Sequence, residues 1–372
     1  MSTHVSRIAM FLAPAALLLL ACQPIQPVAN AGTGTGAADQ SAEQAVTAAK
    51  IESAMSAGPP VVAENATIID WPTAPGGEQA ILREGSNTWT CMPDWPATPD
   101  NDPMCLDETW AAWMQAFMAG EEPVITKLGI SYMLAGGAAA SNTDPFATEP
   151  APGENWVVPP PHVMLIAPGG FDAAYFGTDY ISGKPWIMWD DTPYEFLIIP
   201  TTPATAPTGP VAMSDSVDAK IANIMGAAPQ VIVDEATMMD WPAAPGGEQA
   251  QLRAGGAEWL CVPDWPATPP NDPMCFDPSW TAWMGSFMAG EAPDVTTLGV
   301  SYMLSGGAFA DNTDPTAMEP PTGKDWVVPP PHVMLIAPGG FAAADFGTDY
   351  TSGLPWIVWD ETPYEFLVIP VE

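Results

Sequence analysis

Positive charge is scarce in this chain. Eight Lys and Arg stand against 44 Asp and Glu, for a formal net charge of −36. A field of that sign repels phosphate backbones and anionic headgroups, which excludes a nucleic-acid binder and any membrane attachment through a basic patch. Histidine is scarce too: of three in 372 residues, only His162 and His332 lie beyond the first few positions. Zinc motifs are absent. "APGG" at 74–77 and 167–170 lacks the Lys and the strand–loop–helix setting of a phosphate cradle. No G-x-S-x-G elbow occurs; "GISYM" at 129–133 stops one Gly short. Apolar residues still make up 47% of the chain, with 16 Trp, so it is a folding chain and not an acidic disordered one.

One long apolar run is present, Ile8–Leu20, behind the positive Arg7. It is short for a membrane span and is followed by small polar residues, as in a secretory signal. It ends Leu19-Leu20-Ala21-Cys22. This resembles the lipobox of bacterial lipoproteins, and the resemblance implies a signal over 1–21 and acylation of Cys22. Gln23 after the Cys implies delivery to the outer membrane in a cell that has two. The membrane partner would then be the lipid itself.

Setting Cys22 aside, the remaining cysteines fall into two equally spaced pairs, Cys91/Cys105 and Cys261/Cys275. An even number in an exported chain implies disulfides. Each pair sits within its own copy of a repeat. A shift of 170 residues aligns 49–200 with 219–370 without a gap, about two thirds of positions being identical. Each unit has single-domain size. The expected organisation is a flexible Gly/Ala-rich tether over 22–48, a repeat domain over 49–200, a Pro/Thr-rich spacer over 201–218 and a second repeat domain over 219–372.

Within each unit the pattern predicts α+β: a mainly antiparallel sheet with one or two packed helices. A short helix is expected near 41–55, then a brief strand at "ATIIDWP". "AILREG" and "TWTCMP" look like a hairpin around Gly85-Ser86-Asn87. The clearest helix follows Asp107, with Trp110, Trp113, Met114, Phe117 and Met118 on one face and Gly120 at its end. "LGISYML" and "HVMLIAP" read as strands, the second apolar on both faces and so central. "PWIMW" and "YEFLIIP" read as a closing antiparallel pair.

The strings "WTCMPDWPATPDNDPMCLD" (89–107), "LGISYMLAGGAAASNTDPFATEPAPG" (128–153), "PHVMLIAP" (161–168) and "PWIMWDDTPYEFLIIP" (185–200) resemble an uncharacterised family of small exported bacterial proteins. Members carry one such domain behind a signal peptide. The resemblance spans nearly all of each repeat and implies export. It transfers no functional residue, and the doubling and the lipobox depart from it.

Candidate chemistry centres on "WVVPPPHVMLIAPGGF", present at 156–171 and 326–341. His162 and Met164 (His332 and Met334) share one strand face and could hold a soft metal, with Met133 joining. His162 could also serve a hydrolase as base beside Ser131 or Ser182. Against both stands a structural histidine at a Pro-stiffened strand entry. The acids Asp94, Asp102, Asp107, Asp144 and Glu149 could form a carboxylate pair or a calcium site, yet most sit in Asx-turn settings such as "NTDP". Tryptophans in turn-rich loops, Trp71, Trp95 and Trp156, beside Asp144, and Trp265, Trp326 and Asp314 in the second copy, suit stacking against a sugar or peptide. The reading favoured is a lipid-anchored, extracytoplasmic, non-enzymatic binding or structural module facing envelope polysaccharide or peptide, with no cofactor and no nucleic-acid partner. The alternatives are an extracytoplasmic hydrolase using His162 and His332, and a soft-metal or calcium-binding lipoprotein.

Overall fold

A computed structural model describes residues 35–74, 77–205, 215–243 and 247–372. Cys22 and the signal segment lie outside them. Helix α1 (Thr35–Met55) begins earlier than the expected 41–55. The reason is composition: "AADQSAEQAVTAAK" is rich in Ala, the best helix former. Residues from Ala45 to Glu372 form one compact unit.

The first repeat continues with α2 (Pro60–Ala63), β1 (Thr67–Ile69), β2 (Ile81–Arg83), β3 (Thr90–Met92), β4 (Met104–Leu106), α3 (Glu108–Ala119), β5 (Gly129–Met133), β6 (His162–Ile166), α4 (Ala173–Phe176), β7 (Trp186–Met188) and β8 (Phe196–Pro200). The second repeat has α5 (Val217–Ile224), α6 (Gln230–Glu235), β9 (Ala236–Met239), β10 (Gln251–Arg253), β11 (Gly256–Val262), β12 (Met274–Phe276), α7 (Pro278–Ala289), β13 (Gly299–Met303), β14 (His332–Ile336), α8 (Ala343–Phe346), β15 (Trp356–Val358) and β16 (Phe366–Pro370). Each repeat is one eight-stranded sheet, in the order β2-β1-β3-β4-β5-β6-β8-β7 and its counterpart. The α+β reading holds. Every pairing is antiparallel except β1 with β3 and β9 with β11.

The expected hairpin at Gly85 is not formed. β1 lies between β2 and β3, antiparallel to the first and parallel to the second. The chain from β2 crosses directly over the start of β1, where the amides of Ser86 and Asn87 both donate to the Asn65 carbonyl. A Cβ at Gly85 would sit 2.2 Å from the Thr67 nitrogen, so only glycine permits the crossing. The sequence signal of a turn was correct, and the partner strand was not.

Helix α3 starts where Asp107 accepts from the Trp110 amide and ends at Gly120 in the left-handed region, φ 67°. The other Asp107 oxygen accepts from the Ile130 amide at 2.6 Å, which fastens the helix to β5. Trp110, Trp113 and Met114 are buried against Met164, Ile166, Trp186 and Phe196 on the outer face of the sheet. The Cys91–Cys105 and Cys261–Cys275 disulfides link directly opposed residues of β3 with β4 and of β11 with β12.

The inner faces of the two sheets behave differently. Ile68, Tyr132, Val163, Leu165, Leu197 and their equivalents in the second repeat belong to one continuous buried cluster drawn from both copies. The contacts are reciprocal. Val61 of α2 meets Gly353, and Val231 of α6 meets Gly183. A residue touching its partner's equivalent in both directions is the signature of a two-fold interface, here inside one chain. The first part of the spacer joins it: Ala204 is buried and donates to the Ala228 carbonyl. Among the described residues two ion-pair groups cross between repeats, Lys127 with Asp345, and Lys184 with both Glu235 and Glu258.

Each bridge closes a loop with a sequence separation of 14, worth roughly 3 kcal/mol in the chain-entropy model. Replacing Cys91 and Cys105 together by Ala should therefore lower unfolding stability by about 2–4 kcal/mol in denaturant titration, whereas a loss under 1 kcal/mol would show that the bridge is dispensable.

Candidate functional site

His162 is 1% exposed and His332 is fully buried. Nδ1 of each lies 2.7 Å from a proline carbonyl two residues back, Pro160 or Pro330. A carbonyl only accepts, so Nδ1 carries the proton. In His332 the remaining Nε2 is buried with no partner. Burial, partly countered by that hydrogen bond, pushes both imidazoles down to about 4. Met133 lies directly opposite His162 on β5, and the ring packs against Gly137. Met164 and Met334 are buried in the outer-face cores. A neutral imidazole sealed in this way meets no solvent-borne substrate, and Ser131, which lies opposite Met164, is also fully buried. Among the described residues no group of three or more His, Cys, Asp or Glu side chains is arranged to hold a metal ion.

The acidic candidates brace loops. Asp102 is 3% exposed; its carboxylate accepts from the Trp95 amide at 2.7 Å and from Thr98 Oγ1 at 2.7 Å, while its own amide donates to Asp94 Oδ1 at 2.9 Å. Asp272, Trp265, Thr268 and Asp264 repeat the arrangement. Asp144 and Asp314 are exposed and form Asx turns, accepting from the amides of Phe146 and Thr316. Their loop fastens an unusual residue. Trp189 has φ 57°, rare for a bulky side chain, and is held by its amide donating to the Asn142 carbonyl and its indole N–H donating to the Ser141 carbonyl. Trp359 does the same in the second copy.

What the braced loops present is aromatic. Trp95 is 45% exposed and stacks on Trp71, ring centroids 5.3 Å apart at 26°. Trp265 stacks on Trp241 at 5.0 Å and 29°. The indole N–H of Trp71 donates to the Pro93 carbonyl at 2.7 Å, so one ring is clamped and the other lies over it. A separate groove of about 480 Å³ lies between α3 and strands β1, β3 and β4, with Ile69, Met92 and Leu106 among its apolar walls and Gln79, Glu78 and Gln115 offering polar atoms. Trp156 and Trp326 are half-buried beside the bridges that pair Val157 with Ala139 and Val327 with Phe309.

The proposed residues therefore do not converge on one centre. None of His162, Met164, Trp156, Trp95 or Asp144 lines this groove. Trp71 and Trp241 complete the platforms, and they carried a signal: tryptophan in a proline-rich loop. Two buried disulfides point to an oxidising, extracytoplasmic compartment. Among the described residues no helix is long and apolar enough to cross a membrane.

Burial pushes Asp102 and Asp107 up to about 6 and Asp272 and Asp277 up to about 7, against their accepted hydrogen bonds. A carboxyl raised by folding contributes stability that grows as pH falls through its folded value. The two depressed histidines act oppositely, but only below about pH 6.5, their unfolded value. Between pH 8 and 6.5 the carboxyls act alone. The melting temperature should therefore rise by about 2–5 °C over that interval in scanning calorimetry; a fall would contradict the assigned burial. Comparison of the chain with protein-family models, curated proteins and solved structures finds no match in any of the three.

Proposed function

We propose that the chain is a lipid-anchored, extracytoplasmic binding module, without catalytic activity of its own, that holds polysaccharide of the cell envelope on two tryptophan platforms. The observation that carries this reading is the pair of stacked, loop-borne indoles, Trp71 with Trp95 and Trp241 with Trp265, stacked alike in both halves, Trp95 exposed and Trp265 half-buried. A flat, partly exposed aromatic face suits a sugar ring, whose axial C–H bonds stack on it. The acids that brace each loop fix the ring before binding, which removes part of the ordering cost. Because both repeats belong to one compact unit, the two platforms keep a constant separation, and a long polymer that reaches both gains avidity.

The anchor reading rests on the sequence "LLAC" ending at Cys22 and on the resemblance to small exported bacterial proteins. An acidic surface would hold the protein off anionic headgroups, leaving the lipid as the attachment.

Trp95→Ala with Trp265→Ala should weaken retention on purified envelope polysaccharide at least tenfold while leaving the circular dichroism unchanged. Peptide ligands assayed in parallel should bind no better than to bovine albumin. Retention equal to wild type would remove the platform reading, and selective peptide binding would redirect it. In cells, Cys22→Ala should move the protein from the membrane pellet to the soluble fraction; persistence in the pellet would count against acylation.

A further inference from the structure

The two repeats differ where each meets the other's long helix. At one meeting point Tyr175 of α4 reaches the start of α7. Its hydroxyl accepts from the Ser279 amide at 2.9 Å and lies within hydrogen-bonding reach of the Asp277 carboxylate. At the equivalent point on the other side, the residue in place of Tyr175 is Asp345. A cavity of about 90 Å³ lies there, with Trp89 and Leu128 of the first repeat and Phe346 and Leu354 of the second among its walls. Asp107 and Thr109, the counterparts of Asp277 and Ser279, also line it.

The space is a consequence of the substitution. Asp345 is shorter than a tyrosine and turns to Lys127, Nζ to Oδ1 3.1 Å. Leu354 stands where Lys184 stands in the other copy, so the wall is apolar where its twin is charged. One polar atom is also left over. Thr109 Oγ1 is buried with no hydrogen-bond partner, whereas Ser279 Oγ donates to the Thr297 carbonyl at 3.1 Å. That hydroxyl is buried, so the group a ligand meets at the helix entry is the backbone amide, as the Ser279 amide meets Tyr175 on the opposite side.

We propose that this cavity between the repeats binds a small neutral phenol, which takes the place that the Tyr175 ring takes on the opposite side. The ring lies among Trp89, Leu128, Phe346 and Leu354, and the hydroxyl meets Asp107 and the helix entry at Thr109. The pocket favours a neutral phenol over an aromatic carboxylate, because Asp107, Glu108 and Asp345 all line it against a single Lys127. The proposal is independent of the tryptophan platforms, which lie in other loops, so either can fail alone.

The test is titration of the intact 23–372 chain with 4-methylphenol, followed by amide NMR shifts. Wild type should bind one equivalent with a Kd on the order of 1 mM, as suits so small a ligand, with shifts centred on Thr109 and Trp89. Asp345→Tyr should fill the cavity from within and weaken binding at least tenfold. Tyr175→Ala should open the twin site and raise the stoichiometry to two. Toluene should bind at least fivefold more weakly, since it cannot pair with Asp107 or Thr109. Undisturbed Thr109 and Trp89 amides in wild type, or wild-type affinity in Asp345→Tyr, would overturn the assignment. Should Tyr175→Ala fail to fold, the Asp345→Tyr comparison still decides it.

Discussion

The apolar surface between the two sheets is the constraint on which the rest depends. Each sheet has an outer face that its own tryptophan-bearing helix covers. The inner face has no comparable cover of its own. Short helices and chain ends protect part of it, and the remainder is buried only in a cluster common to both repeats. Leaving that surface in water would cost about 25 cal/mol for each Å² of apolar area, which a unit of this size cannot sustain. Duplication within one chain meets the need, because the second copy supplies the missing layer at fixed high effective concentration. It also explains why β5 and β6 carry no polar face: all five residues of each are buried, from one side by α3 and from the other within the joint cluster.

A chain with a net charge of −36 must bring two acidic halves together, and the few cations show where it does so. Lys127 and Lys184 both reach across to the other repeat, and neither has a basic counterpart at its equivalent position, Thr297 or Leu354. Exposed ion pairs contribute little stability, typically under 1 kcal/mol each. Their value lies in discrimination. A pairing of two first repeats would set Lys184 against Asn65 and Thr88 in place of Glu235 and Glu258, and a pairing of two second repeats would set Asp345 against Thr297 in place of Lys127. The differences between the copies thus favour the internal pairing over assembly with another chain. Four further cations act within their repeats: Lys50 and Lys220 pair with Asp70 and Asp240, and Arg83 and Arg253 tie down backbone carbonyls.

Much of each repeat was legible because its signals are local. Asp107 as cap, Gly120 as stop and the apolar face between them define α3 within fourteen residues. The cysteine pairs were readable from equal spacing in two copies, and β6 from its lack of a polar face. What failed was non-local. Nothing near Gly85 reveals that β1 slips between β2 and β3, since the information lies in a backbone approach to Thr67 that only coordinates show. The composition of 201–218 predicts a Pro/Thr-rich spacer; that its first residues pack on the body is non-local, set by the Ala204 amide donating to the Ala228 carbonyl. The histidine at the strand entry drew attention as a possible reactive group. Alternation placed it correctly on one face with Met164, but it could not reveal that the outer-face core closes over it. The cavity beside Thr109 had no sequence signal beyond the unlike pair Tyr175 and Asp345, which gains meaning only once the halves face each other.

The central claim is that the two repeats form one cooperative body around a common core. Scanning calorimetry of the intact chain tests it most directly. The account predicts a single transition whose calorimetric and van't Hoff enthalpies agree, lost as a whole when Leu165 and Leu335 at the inner faces are replaced by Ala, while the isolated 45–205 segment shows no monomeric transition. Two separable transitions in the intact chain, with the isolated segment melting as a stable monomer at the temperature of one of them, would contradict it.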